Sequence, residues 1–112
     1  MAKVRVTLEL DVADDSSEQN VQDCIYYMLA DAVGEFIDRR VGSEGRLALQ
    51  TGDPLRLENA AKGYVESRYP DDCGERFKER KTAGTIERAR LAYALRMAIT
   101  GMECTINDTG GE

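Results

Sequence analysis

Lys3-Val4-Arg5-Val6-Thr7-Leu8-Glu9-Leu10-Asp11-Val12 alternates apolar and polar residues without a break. A repeat of two places every second side chain on one face, the pattern of a half-buried strand. This reading decides the fold class, because a strand at the start of the chain needs a sheet to join. Arg46 to Thr51 alternates again through Leu47 and Leu49, and Met102, Cys104 and Ile106 alternate with Glu103, Thr105 and Asn107. These two runs are the expected partner strands, although 102–107 reads equally well as one more helical turn.

Between the first two runs lies a helix. Asp14, Asp15, Ser16 and Ser17 interrupt the alternation, and the Asp15/Glu18 and Ser16/Gln19 pairs have the spacing of helix caps. From Val21, apolar residues recur every three to four positions through Cys24, Ile25, Met28, Leu29, Ala32, Val33, Phe36 and Ile37. Met28 and Phe36 fall on the centre of that stripe and are expected in the core. Gly42 is the natural stop, with Arg39 and Arg40 near the negative end of the helix dipole.

Asp53-Pro54 has the form of a helix start, since proline lacks only an N–H that the first turn does not use. Leu57, Ala61, Tyr64 and Val65 continue at helical spacing. A rival reading makes Leu55 and Leu57 the return strand of a hairpin turning at Gly52-Asp53. Tyr69 to Gly74 is a loop by composition, and Glu75 to Lys81 a short basic helix. Gly84-Thr85 then reads as a break and a cap before a last helix, Ile86 to Thr100. That helix carries two apolar lines, Leu91/Leu95/Ala98/Met102 and Ile86/Ala89/Tyr93/Met97.

The expected architecture is therefore α+β: a small, mainly antiparallel sheet of two or three short strands packed against one long amphipathic helix, 17–41, and a second apolar C-terminal helix, 85–101. Residues 1–107 form a single domain in this reading, and 108–112 a flexible polar tail. At 112 residues, 42% hydrophobic and 32% charged, the chain has the size and balance of one globular domain. Two apolar lines on one helix exceed what a thin sheet covers, so a homodimer through Ile86 to Met102 is expected.

Composition narrows the chemistry. The chain has no histidine, which removes the commonest general base and the commonest transition-metal ligand. Cys24, Cys73 and Cys104 are an odd number without Cys-x-x-Cys spacing, which fits a reducing, cytoplasmic setting better than a disulfide framework. Cys24 and Cys104 sit at apolar positions and are expected to be buried. Cys73 stands among Asp71, Asp72 and Glu75, whose charges disfavour a thiolate. No stretch approaches the ~20 apolar residues that cross a bilayer, and residues 1–12 lack the apolar run of a signal peptide.

The acidic group Asp11, Asp14, Asp15 and Glu18 lacks the central glycine and closing glutamate of a calcium loop, and reads as capping and solvation. Gly42, Gly45 and Gly52 have no phosphate-loop spacing. Neither a catalytic set, a cofactor site nor a metal site is nominated. A net charge of −6 opposes direct nucleic-acid binding. The basic run Arg76-Phe77-Lys78-Glu79-Arg80-Lys81 is the best counter-candidate, and its interspersed acids favour a salt-bridged helix face. Residues 1–40 carry four bases against nine acids and residues 75–101 seven against three, which places the two segments near each other.

What remains is surface. Tyr26 and Tyr27 lie about 100° apart on the first helix, so at least one reaches its boundary. Together with Asp31, Glu35 and Asp38 on that helix, and Tyr93 and Met97 on the last, they are the candidate interaction residues. The expected function is a non-enzymatic acidic regulatory module that binds a protein, of the kind common among phage and mobile-element accessory proteins that modulate a host or viral protein. Two alternatives stand beside it. One is an acidic nucleic-acid mimic using Asp23, Asp31, Glu35 and Asp38 as a phosphate-like row. The other, weaker, is a small carboxylate-dependent enzyme.

Overall fold

A computed structural model describes residues 2–106, and among these there are helices and no strand. Three helices follow in order: α1 (Glu18–Thr51), α2 (Pro54–Arg68) and α3 (Glu75–Ile99), with a short 3-10 turn at Asp71–Cys73 before α3. The α+β expectation is thereby corrected to an all-helical fold. The expected tail, 108–112, lies outside the described residues.

Helix α1 starts where Ser17 accepts a hydrogen bond from the Asn20 N–H at 3.1 Å, so the cap is Ser17 itself and not Asp15 or Ser16. The stop expected at Gly42 is a sharp bend. Gly42 has φ 64° and ψ −168°, a conformation essentially reserved for glycine, and helix resumes directly after it. Arg46 shows how sharp the turn is: its guanidinium pairs with Asp38 and lies 3.7 Å from the Cβ position of Gly34. In a straight helix those twelve residues would span about 18 Å. The C-terminal arm of α1, residues 43–51, therefore folds back toward its N-terminal arm, residues 18–41.

That arm is the expected second strand. Arg46, Leu47, Ala48, Leu49 and Gln50 are all good helix formers, and burial falls on Val41, Gly45 and Ala48, at helical spacing. Leu47 is exposed and Leu49 packs at the edge of the core, so the alternation of two leucines over six residues was a coincidence of spacing. Gly52, at φ 72° and ψ 37°, closes α1, and Asp53 caps α2 by accepting from the Arg56 N–H at 3.1 Å. The helix reading of Asp53-Pro54 holds. Its hairpin rival falls, with Leu57 buried and Leu55 exposed on one helix.

Helix α3 runs without the expected break. Gly84 lies inside it, and Thr85 does not cap: its hydroxyl donates to the Lys81 carbonyl at 2.8 Å, as Thr82 donates to Lys78 at 2.8 Å. Satisfied by their own helix, both threonines are buried among apolar neighbours. The third expected strand belongs to no regular element and is tied to α1, where the Ile106 N–H donates to the Glu18 carboxylate at 3.0 Å. Met102, Cys104 and Ile106 are half-buried there and their neighbours exposed, so the period of two survives without a sheet.

The core joins Val33, Ile37, Val41 and Ala48 of α1 to Leu57 and Ala61 of α2 and Ala89 of α3, with Ile86, Ala92 and Tyr93 at its edge. Gly45 faces Ala60 across the α1–α2 contact, where a Cβ on Gly45 would stand 3.4 Å from that of Ala60. Small residues thus bring the helices close together. The acidic α1 and basic α3 do pack on each other, as their charges suggest, and Arg96 of α3 donates to the Tyr26 hydroxyl at 3.2 Å.

Residues 2–12 take no part in this packing. They form no hydrogen bond among the described residues, and Val4 to Val12 are exposed, from 87% at Val4 to 41% at Val12. The molecule measures 62 × 28 × 26 Å, and its radius of gyration of 18.4 Å exceeds the roughly 13 Å of a compact chain of this length.

Candidate functional site

The chain presents two surfaces of interest, one on α1 and one on α3. On α1 the buried side runs through Val33 and Ile37, and the opposite side is made of Cys24, Tyr27, Met28, Asp31, Glu35 and Asp38. Met28, expected in the core, is 66% exposed; Phe36 is half-buried, with the Arg40 guanidinium 3.7 Å from its ring centre. The stripe drawn from sequence is rotated by part of a turn. Cys24, expected to be buried, is exposed and contacts Met28 sulfur to sulfur at 3.6 Å; Cys104 is half-buried.

The two tyrosines divide as the helix geometry requires. Tyr26 is half-buried and held by Arg96, whereas Tyr27 is 64% exposed and meets Tyr26 edge-on at 5.5 Å between ring centres. Asp31, Glu35 and Asp38 are all exposed, but Glu35 is paired with Arg39 and Asp38 with Arg46. Asp23 accepts from the Gln19 amide at 2.8 Å. A phosphate-like row needs uncompensated charge, and two of its four acids here face a guanidinium.

On α3 the two apolar lines face different ways. Ile86, Ala89 and Tyr93, the last a candidate interaction residue, turn toward the core of their own chain. The solvent side is Leu91, Ala94, Leu95 and Ala98, with Met97 on its flank; Leu91 is 62% exposed. Met97 is thus the one residue of the Ile86/Ala89/Tyr93/Met97 line that is exposed. Beside this stripe, α2 and α3 enclose an open groove of about 630 Å³. Pro54 and Glu58 form its α2 wall, Ile86, Leu91 and Ala94 its apolar lining on α3, with Arg90 at its edge. Sequence reasoning missed this groove, because it needs α2 and α3 side by side; the signal available was the surplus of apolar residues on α3.

The basic run at the start of α3 is partly engaged within the chain. Lys78, its side chain only 13% exposed, donates to Asp71 at 3.1 Å and to Glu66 at 3.3 Å. The Asp71 hydrogen bond raises its pKa above the ordinary lysine value of 10.5; burial opposes this and Glu66 reinforces it. Phe77 meets Tyr69 edge-on at 5.1 Å, and the Lys81 ammonium stands 5.3 Å and 5.7 Å from the two ring centres. Phe77, Lys78 and Lys81 are thus engaged within the chain, while Arg76 and Arg80 of the same run are exposed.

Among the described residues no group of three or more cysteine, aspartate and glutamate side chains is placed to hold a metal ion. Among the described residues no helix is long and apolar enough to cross a membrane. Comparison with protein families, with curated proteins and with solved structures returns no match to this chain.

Proposed function

We propose that this chain is a non-enzymatic interaction module whose α2–α3 groove receives an amphipathic helix of a protein partner. The observation that carries the reading is the apolar lining of Leu91 and Ala94, left open to solvent on a helix whose opposite side already fills its own core, with half-buried Ile86 between the two. A contiguous apolar stripe of this kind marks an interface. Residues three and four apart along α3 offer the ridge spacing that a second helix packs into. The groove carries charge of both signs, Glu87 and Arg90 on α3 and Glu58 paired with Lys62 on α2, so the apolar face of the partner helix supplies the fit.

Affinity capture from source lysate, run in parallel with the wild type and Leu91→Asp, tests this. A carboxylate at the centre of the stripe must be desolvated in the complex and abolishes capture of a groove partner. The specific partner is expected with the wild type alone. Equal recovery of the same proteins by both baits, with helicity unchanged, sinks the proposal.

A further inference from the structure

We infer that residues 3–11 pair with the same residues of a second copy of this chain, forming an antiparallel two-stranded ribbon centred on Thr7. The segment alternates strictly, lies outside every helix, is exposed, and makes no hydrogen bond among the described residues. A strand with free N–H and C=O groups and a row of exposed aliphatic side chains is a template for another strand, and among the described residues its own chain holds none.

Charge selects the occupant. The polar side of the segment reads Lys3, Arg5, Thr7, Glu9, Asp11: two cations, a neutral centre, two anions. When two copies run antiparallel with Thr7 opposite Thr7, each Lys3 faces Asp11 of the other copy and each Arg5 faces Glu9 of the other copy. All four charged pairs are then of opposite sign, and on the other face Val4 meets Leu10 and Val6 meets Leu8. Sliding the register by two residues either way leaves only two such pairs, Arg5 with Asp11 or Lys3 with Glu9. A one-residue slip turns the apolar side chains to the wrong face. Parallel in-register pairing sets Lys3 against Lys3 and Asp11 against Asp11. The segment is self-complementary in one register, and that register has the two-fold symmetry of an ordinary homodimer.

A two-stranded ribbon is marginal alone and needs cover for its apolar face. The exposed apolar group on α1, Cys24, Tyr27 and Met28, supplies it, close in sequence to a strand whose end is turned back by the Ser16 N–H bond to the Ala13 carbonyl at 2.9 Å. This surface is separate from the α2–α3 groove, so Leu91→Asp leaves self-association intact and the strand variants leave groove binding intact.

The test is charge exchange read by sedimentation velocity at tens of micromolar and low salt. Wild type is expected to sediment as a dimer. Lys3→Glu/Arg5→Glu makes every charge on the strand negative, Glu9→Arg/Asp11→Lys makes every charge positive, and each variant alone is expected to associate at least tenfold more weakly. Mixing the two in equal amounts is expected to restore the dimer, as is combining all four changes in one chain. The substituted residues are exposed and outside the helices, so far-ultraviolet circular dichroism stays that of the wild type. A monomeric wild type, a dimer indifferent to either charge variant, or two helical variants that fail to associate when mixed each overturns the inference.

Discussion

Replacing Gly42 by alanine tests the bend on which the whole arrangement depends. Gly42 sits at φ 64° and ψ −168°, and nothing lies within 4 Å of where its Cβ would be, so the penalty comes from the backbone alone. Holding an L-residue there costs about 1–3 kcal/mol, of which the stiffer unfolded chain returns about 0.4–1 kcal/mol. The net loss is about 1–2 kcal/mol. The escape route is to straighten α1, but that withdraws Val41, Gly45 and Ala48 from the core and Arg46 from Asp38; re-exposing Val41 alone costs about 2 kcal/mol. Gly63→Ala is the counter-experiment. Gly63 is an exposed residue inside α2 with open space at its Cβ, so the same substitution there should stabilise by about 0.5–1 kcal/mol. Urea titrations followed by circular dichroism give both numbers as shifts in midpoint at constant slope. If Gly42→Ala leaves the midpoint unchanged or raises it with a gain in helicity, α1 runs straight through and the packing described above is wrong.

Val65, at 1% exposure the largest fully buried side chain, should cost about 2 kcal/mol in denaturant melts when cut to alanine. Ser17→Ala removes the cap on α1 and should lose about 1 kcal/mol, with faster amide exchange confined to the first turn. Lys78 gives a pH signature: its pKa is raised in the folded chain, so its contribution is fully present below the unfolded lysine value of 10.5 and is lost as pH rises through the higher folded value. Comparing wild type with Lys78→Met at pH 9 and above pH 11 should show a shallower alkaline decline in the variant, and equal slopes would show that the Asp71 and Glu66 contacts do not bias this proton.

Local signals in the chain were legible where one residue has one physical use. Asp53 caps and Pro54 opens a helix as read; Gly42 does interrupt α1, though as a bend and not an end, and the cap spacings at Asp15 and Ser16 fall within two residues of the cap at Ser17. Period was less dependable. Leu47 and Leu49 alternate within a helix because two residues cannot define a repeat, and Gly84-Thr85 stays helical because packing outweighs the roughly 1 kcal/mol that glycine costs. Residues 3–12 do alternate, yet alternation describes one strand and says nothing of where its neighbour is. The error at Met28 has a related cause: on α1 apolar residues occupy more than one side, and only the position of α3 decides that Val33 and Ile37 point inward. For the same reason the groove at Leu91, built from two helices, left in the sequence only the surplus of apolar residues on α3 and nothing to say that α2 forms the other wall.

The close approach of the helices has a consequence for how this molecule can be dissected. Its most completely enclosed positions include Ala61 and Ala89, both at 0% exposure, with Ala48 and Gly45 beside them. Alanine scanning, the usual survey of side-chain importance, leaves three of these four blank because the scanning residue is already there. At Gly45 it registers a collision with the Val41 side chain where a survey expects a loss of contacts. A scan by enlargement, to valine or leucine, is the one that would find the centre of this protein.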